Sequence, residues 1–150
     1  MTKVLMVCLG NICRSPLAEG ILQFKVDATK VQVDSAGMQG YHVGELPDKR
    51  SIKVAGENLI DITDQRARLF QVSDFDTYDF IYAMDTSVYK NLIEKASSEK
   101  EKTKVKLILN EVFPDENMDV PDPYHSSLFA FRNVYTMLDE ACDIISKDLE

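Results

Sequence analysis

The sequence predicts an α/β fold: a doubly wound parallel sheet of four strands with helices on both faces. Three observations predict it. Short apolar runs alternate with stretches of helical period, four of each to within one. The first run, Val4-Leu5-Met6-Val7, passes through a short loop straight into a helix start. A second strand-to-loop junction follows that helix, from Val31-Gln32-Val33-Asp34 into Ser35-Ala36-Gly37. In a right-handed crossover unit both junctions open at the same carboxyl edge, where open α/β sheets bind ligands.

Val4 to Val7 is four apolar residues between polar neighbours and reads as a fully buried strand. Gly10-Asn11 supplies the unusual backbone angles of a tight loop. Ser15 offers an N-cap and Pro16 fits the first helical position, with Leu17, Ile21, Phe24 and Ala28 following at helical spacing. Val31-Gln32-Val33-Asp34 alternates as the second strand and leads into Ser35-Ala36-Gly37, a turn signal. Met38 to Leu46 is a surface loop, in which His42 is a solvated residue with no evident partner. After Pro47-Asp48, a helix carries Ile52, Ala55 and Leu59. Asp79 to Met84 is the third strand, and Asp85 caps a helix bearing Val88, Leu92 and Ala96. Glu99 to Lys104 is a charged, solvated loop and Val105 to Leu109 the fourth strand. Leu128, Phe131, Val134, Leu138, Ala141 and Ile145 form the core face of a long last helix, with Cys142 beside it as packing.

The chemistry gathers in Cys8-Leu9-Gly10-Asn11-Ile12-Cys13-Arg14-Ser15-Pro16. A loop between a strand and a helix N-terminus points backbone N–H groups inward and adds the positive end of the helix dipole. Together these favour a dianion and the thiolate of a nearby cysteine. Arg14 completes the cradle, since its planar fork takes two phosphate oxygens at once. Cys8 is thus placed as a nucleophile toward phosphorus rather than toward a carbonyl. The bare Cys-x5-Arg spacing is weak; its position directly after a strand carries the argument.

This stretch closely resembles the phosphate-binding loop of the low-molecular-weight protein tyrosine phosphatases, and the resemblance spans essentially the whole chain. It implies strand order 2-1-3-4 and one such domain over 1–150. It also implies hydrolysis of protein phosphotyrosine and small aryl phosphates through a cysteinyl-phosphate. Leu9, Gly10, Asn11, Ile12, Cys13 and Ser15 would bind the phosphate with Cys8 and Arg14; Asn11, Ser15 and Ser35 would hold the loop. Asp34-Ser35-Ala36-Gly37 resembles the family's second signature, whose serine braces the loop. Tyr41 and Tyr124 would wall a slot for the phosphotyrosine ring. Asp122, in Val120-Pro121-Asp122-Pro123-Tyr124, resembles the family's general acid; two prolines stiffen its loop, and a carboxyl can protonate the departing oxygen. Asp119 and Asp115 are the alternatives on the same segment. Cys13 is a candidate redox partner for Cys8. The chain departs from the family at Gln65, where relatives commonly have a histidine, and at His125-Ser126-Ser127.

Composition narrows the partners. With 45% hydrophobic residues in 150 the chain can bury one sizeable core, and a net charge of −8 argues against nucleic acid or anionic membrane. No run approaches the ~20 apolar residues of a membrane span, and no export signal is visible, so a cytoplasmic protein is expected. Three cysteines and two histidines offer no zinc spacing, and neither metal nor cofactor is implied. The expected partners are a phosphotyrosine-bearing protein and phosphate or similar oxyanions, for a monomer or weak homodimer. An arsenate reductase of the same fold would need a further cysteine pair in mid-chain, yet no cysteine lies between Cys13 and Cys142. A phosphate-binding module without turnover would not require both Cys8 and Asp122.

Overall fold

A computed structural model describes residues 1–150. Four strands, β1 (Thr2–Cys8), β2 (Val31–Gly37), β3 (Phe80–Ala83) and β4 (Val105–Leu107), pair in parallel in the order β2-β1-β3-β4. Six helices join them: α1 (Arg14–Lys25), α2 (Lys49–Glu57), α3 (Asp74–Thr77), α4 (Thr86–Lys95), α5 (Glu99–Thr103) and α6 (Leu128–Asp148). The predicted sheet and strand order are therefore present.

The central strand explains the sandwich. Val4, Met6 and Cys8 of β1 join one apolar cluster with Leu17 and Ile21 of α1 and Leu138 and Ile145 of α6. Leu5 and Val7 join a second with Phe75 of α3 and Val88 and Leu92 of α4. A strand buried on both faces needs an unbroken apolar run, which is why β1 does not alternate. The chain leaves β1 toward β2 and later returns across it to β3, so the loops after β1 and β3 part at the carboxyl edge and leave a crevice between them.

Several local readings are corrected. Helix α1 begins at Arg14 with Cys13 at the cap position and no side-chain cap, so Ser15 is inside the helix and Pro16 sits third in it. Proline is tolerated there because first-turn N–H groups have no intrahelical acceptor. Ala28 lies beyond α1 and Phe24 is exposed; Ala18 and Leu22 take the inward places. Ser35-Ala36-Gly37 continues β2 instead of turning, because the strand stays paired with β1 as far as Cys8↔Gly37. Leu59 lies past the end of α2 with φ 65° and is exposed. Glu99 to Thr103 is helical, capped by Ser98 accepting from Glu101 N. β4 ends at Leu107, and Ile108–Glu111 is a 3₁₀ turn. The short α3 was not anticipated from sequence.

Gly37 marks where the sheet meets the loop. A Cβ there would stand 3.0 Å from Asn11 Cβ, Asn11 N and Gly10 C. Those neighbours are largely backbone and cannot swing aside. Gly37→Ala should cost about 1–3 kcal/mol, the usual penalty for overpacking, read as a lowered urea midpoint; an unchanged midpoint would refute this close fit.

Candidate active site

Cys8 is the last residue of β1 and is 3% exposed. Its sulfur receives Asn11 N at 3.3 Å and lies 2.9 Å from Ser15 Oγ. Asn11 alone carries the left-handed backbone of the loop, φ 58°; Gly10 does not share it. Asparagine tolerates that conformation better than most residues, and its side chain is then free to tie the loop together. Asn11 Nδ2 donates to Ser15 Oγ (2.8 Å) and to Ser35 Oγ (2.9 Å), and Arg68 N donates to Asn11 Oδ1 (3.0 Å). Ser15 Oγ thus meets both the Asn11 amide and the Cys8 sulfur. Ser35 passes its own proton outward to Glu19 Oε1 at 2.7 Å.

Arg14, 3% exposed, is anchored at one end of its fork. Nη1 donates to Asp85 Oδ2 (2.6 Å) and to the Val120 carbonyl (2.9 Å). Nε and Nη2 have no hydrogen-bond partner in the protein, and Nη2 stands 4.0 Å from Asp122 Oδ2. Burial opposes the Arg14 charge, but Cys8, Asp85 and Asp122 outweigh it and raise the pKa. The charge is therefore secure, and the fork's unbonded edge remains available to an oxyanion.

Cys8, Leu9, Gly10, Ile12, Cys13, Arg14, Tyr41, Asp122 and Tyr124 all line one cleft of about 160 Å³. Asn11 and Ser15, expected among the phosphate-binding residues, are absent from that lining; their side chains are spent on the loop's own network. Asp122 is 47% exposed, and its Oδ1 accepts from Tyr124 N at 3.1 Å. Asp119 is engaged elsewhere, accepting from Thr86 N at 2.8 Å. Tyr41 is almost wholly exposed at the rim. Tyr124 lies between two histidine rings, with centroids 6.2 Å to His42 and 4.9 Å to His125. His42 also has a partner, Glu45 Oε2 at 2.9 Å, so its reading as an unpartnered loop residue is corrected.

Sequence reasoning missed several contributors. Asp85 was read only as a helix cap, a role it also has, accepting from Val88 N; its tie to Arg14 spans 71 residues and leaves no local signal. Gln39 and His125 line the cleft as well. Glu19 sits behind the loop with its carboxyl pushed up to about 7, chiefly by burial, with Asp34 and Asp64 adding to the rise against the Ser35 hydrogen bond and Arg68. Gln65, at the family's histidine position, donates Nε2 to the Pro16 carbonyl at 3.1 Å and leaves a buried Oε1 without a partner. Burial, helped by Asp48, Cys8 and Asp122, pushes the Cys13 thiol far up. No group of three or more metal-ligating side chains is assembled, and no helix is long and apolar enough to cross a membrane.

A buried thiol at the end of the central strand, met by Asn11 N and set beside a half-free arginine, frames an oxyanion site on a doubly wound sheet. Comparison with known proteins makes the class specific. Residues 3–150 match the family described as "Low molecular weight phosphotyrosine protein phosphatase". The low molecular weight phosphotyrosine protein phosphatase of Schizosaccharomyces pombe is 38% identical over 92% of this chain and 92% of its own. The protein tyrosine phosphatase of Entamoeba histolytica, solved with Hepes in its active site, superposes with a TM-score of 0.92 at 33% identity, covering 99% of this chain and 97% of its own. Wzb of Vibrio vulnificus in complex with benzylphosphonate gives 0.88 at 31% identity, covering 98% of each chain. The chain belongs to the low molecular weight phosphotyrosine protein phosphatase family.

The raised Glu19 pKa has a thermodynamic sign. An unfolded carboxyl ionises near 4.3, whereas folded Glu19 holds its proton to about 7. Its contribution to stability is complete below the unfolded value and is lost as pH rises through the folded one. Glu19→Gln, which keeps the acceptor for Ser35, should therefore gain stability relative to the parent between pH 5 and 8, by on the order of 2–3 kcal/mol. Urea midpoints of both proteins across that range provide the check; parallel curves would contradict it.

Proposed function

We propose that this protein hydrolyses phosphotyrosine in proteins, and small aryl phosphates, through a cysteinyl-phosphate. The observation that carries this reading is the convergence of Cys8, Asp122 and the unbonded edge of Arg14 on one cleft. The Cys8 thiolate attacks phosphorus; the S–P bond forms as the O–P bond to tyrosine breaks. The proton of Asp122 goes to the tyrosine oxygen. Arg14 and the loop amides meet the charge on the transferring phosphoryl group throughout. In the second step the Asp122 carboxylate takes a proton from water, whose oxygen attacks phosphorus and releases phosphate and the thiolate. Tyr41 and Tyr124 flank the ring, and the depth of Cys8 below the rim favours a phosphate carried on a flat aryl group.

Asp122→Ala should slow phosphoenzyme formation from phosphotyrosine by roughly 10²- to 10⁴-fold, the range for one positioned proton donor. It should slow the same step from 4-nitrophenyl phosphate less, because nitrophenolate leaves without help. Single-turnover kinetics on both esters make the comparison, with Cys8→Ser as the inactive control. Equal slowing would remove Asp122 from the acid role.

Cys8 and Cys13 are both free thiols lining the same cleft. Peroxide converts the Cys8 thiolate to a sulfenic acid; the Cys13 thiol then displaces hydroxide as water and closes a disulfide that added thiol reopens. Cys13→Ala should regain less activity than the parent after peroxide followed by dithiothreitol. Equal recovery would leave Cys13 as packing among Ile12, Val54, Ala67 and Phe131.

A further inference from the structure

We infer that Arg50 is a positioning residue that clamps the Asp122 loop to the phosphate loop, and that proton transfer from Asp122 depends on this clamp. The inference rests on the reading of Asp122 as proton donor.

Arg50 lies in the first turn of α2, and that turn is fastened to the phosphate loop. Asp48 N donates to the Ile12 carbonyl (2.8 Å) and Ser51 Oγ to the Cys13 carbonyl (3.1 Å). From this base the Arg50 guanidinium reaches across to the other loop. Nη2 donates to the Tyr124 carbonyl and Nη1 to the Ser126 carbonyl, both at 2.9 Å. The opposite edge of the fork, Nε and Nη2, grips Asp48 at 3.0 Å on each carboxylate oxygen. The plane lies over the Phe131 ring, 4.3 Å from its centroid, and Phe131 packs beneath the phosphate loop with Ile12 and Cys13. Four of the five N–H groups are thus committed to this bridge. Only a planar, multi-donor head can make such a bridge, and lysine cannot.

The Asp122 loop needs it. At one end the loop is held at Val120, whose N donates to the Met84 carbonyl at 2.9 Å and whose carbonyl receives Arg14. At the other end it is held by Arg50. Between them, Pro121 and Pro123 have no N–H to offer, and the Asp122 carboxyl has only Tyr124 N and the distant Arg14 edge. Tyr124, whose carbonyl Arg50 holds, is the residue whose N–H orients that carboxyl. Loss of Arg50 frees the loop on the side that aims the acid, and a displacement of about 1 Å can cost 10²-fold in rate.

The test separates this role from support of α2. Arg50→Ala should slow phosphoenzyme formation from phosphotyrosine by about 10- to 100-fold and from 4-nitrophenyl phosphate by less. Added to Asp122→Asn, it should slow neither ester further, since there is no proton left to aim. Arg50→Lys should show the same leaving-group pattern, and decides the matter if Arg50→Ala fails to fold. Equal slowing of both esters, or a full additional loss in the Asp122→Asn background, would overturn the clamp while leaving Asp122 as acid. If Asp122→Asn itself slows both esters equally, the acid reading falls and the clamp with it.

Discussion

The site depends on one side chain that never faces the substrate. Asn11 turns the chain through a left-handed residue and then uses its amide to join three segments: Ser15 on α1, Ser35 on β2 and Arg68 on the strip that pairs beside Gly37. Each of its three bonds is buried or nearly so, where an unpaired amide group costs about 1–3 kcal/mol. The loop is thereby locked in one shape before any ligand arrives. Preorganised donors need no rearrangement when charge develops, which is the main way such loops lower a barrier.

A chain with a net charge of −8 must draw a dianion against its own field. The local solution is to bury one cation and fix its direction. Asp85 and the Val120 carbonyl take one end of the Arg14 fork, so the guanidinium cannot rotate, and the remaining edge points where an oxyanion would be met in bidentate fashion. Around this centre the rim is aromatic and imidazole-rich, since both histidines of the chain lie beside Tyr124.

The sheet and the first loop were legible because their signals are local. An unbroken apolar run means a strand covered on both faces, and Cys8 to Pro16 is contiguous in sequence. Helix ends were less legible, since Ser15 and Ser35 have the chemistry of caps and turns but are drawn into the Asn11 network instead. Asp85 and Arg50 were illegible as site residues because their partners are 71 and 74 or more residues away. Nothing near either residue distinguishes a loop tether from an ordinary helix cap or surface charge. His42 is a different case: its partner Glu45 lies three residues on along the same loop, whereas its ring neighbour Tyr124 belongs to another loop.

The half-bonded Arg14 has a consequence for the protein at rest. Only one nitrogen of its fork is bonded within the protein, and the other edge opens on the cleft. An anion that fills the loop binds only the native state, and at a concentration 100 times its dissociation constant it adds about 2.7 kcal/mol to stability. Phosphate, the product of the proposed reaction, would therefore also act as a ligand that keeps the chain folded. Heat resistance in its presence reports whether the cradle is intact, even in a protein that turns nothing over.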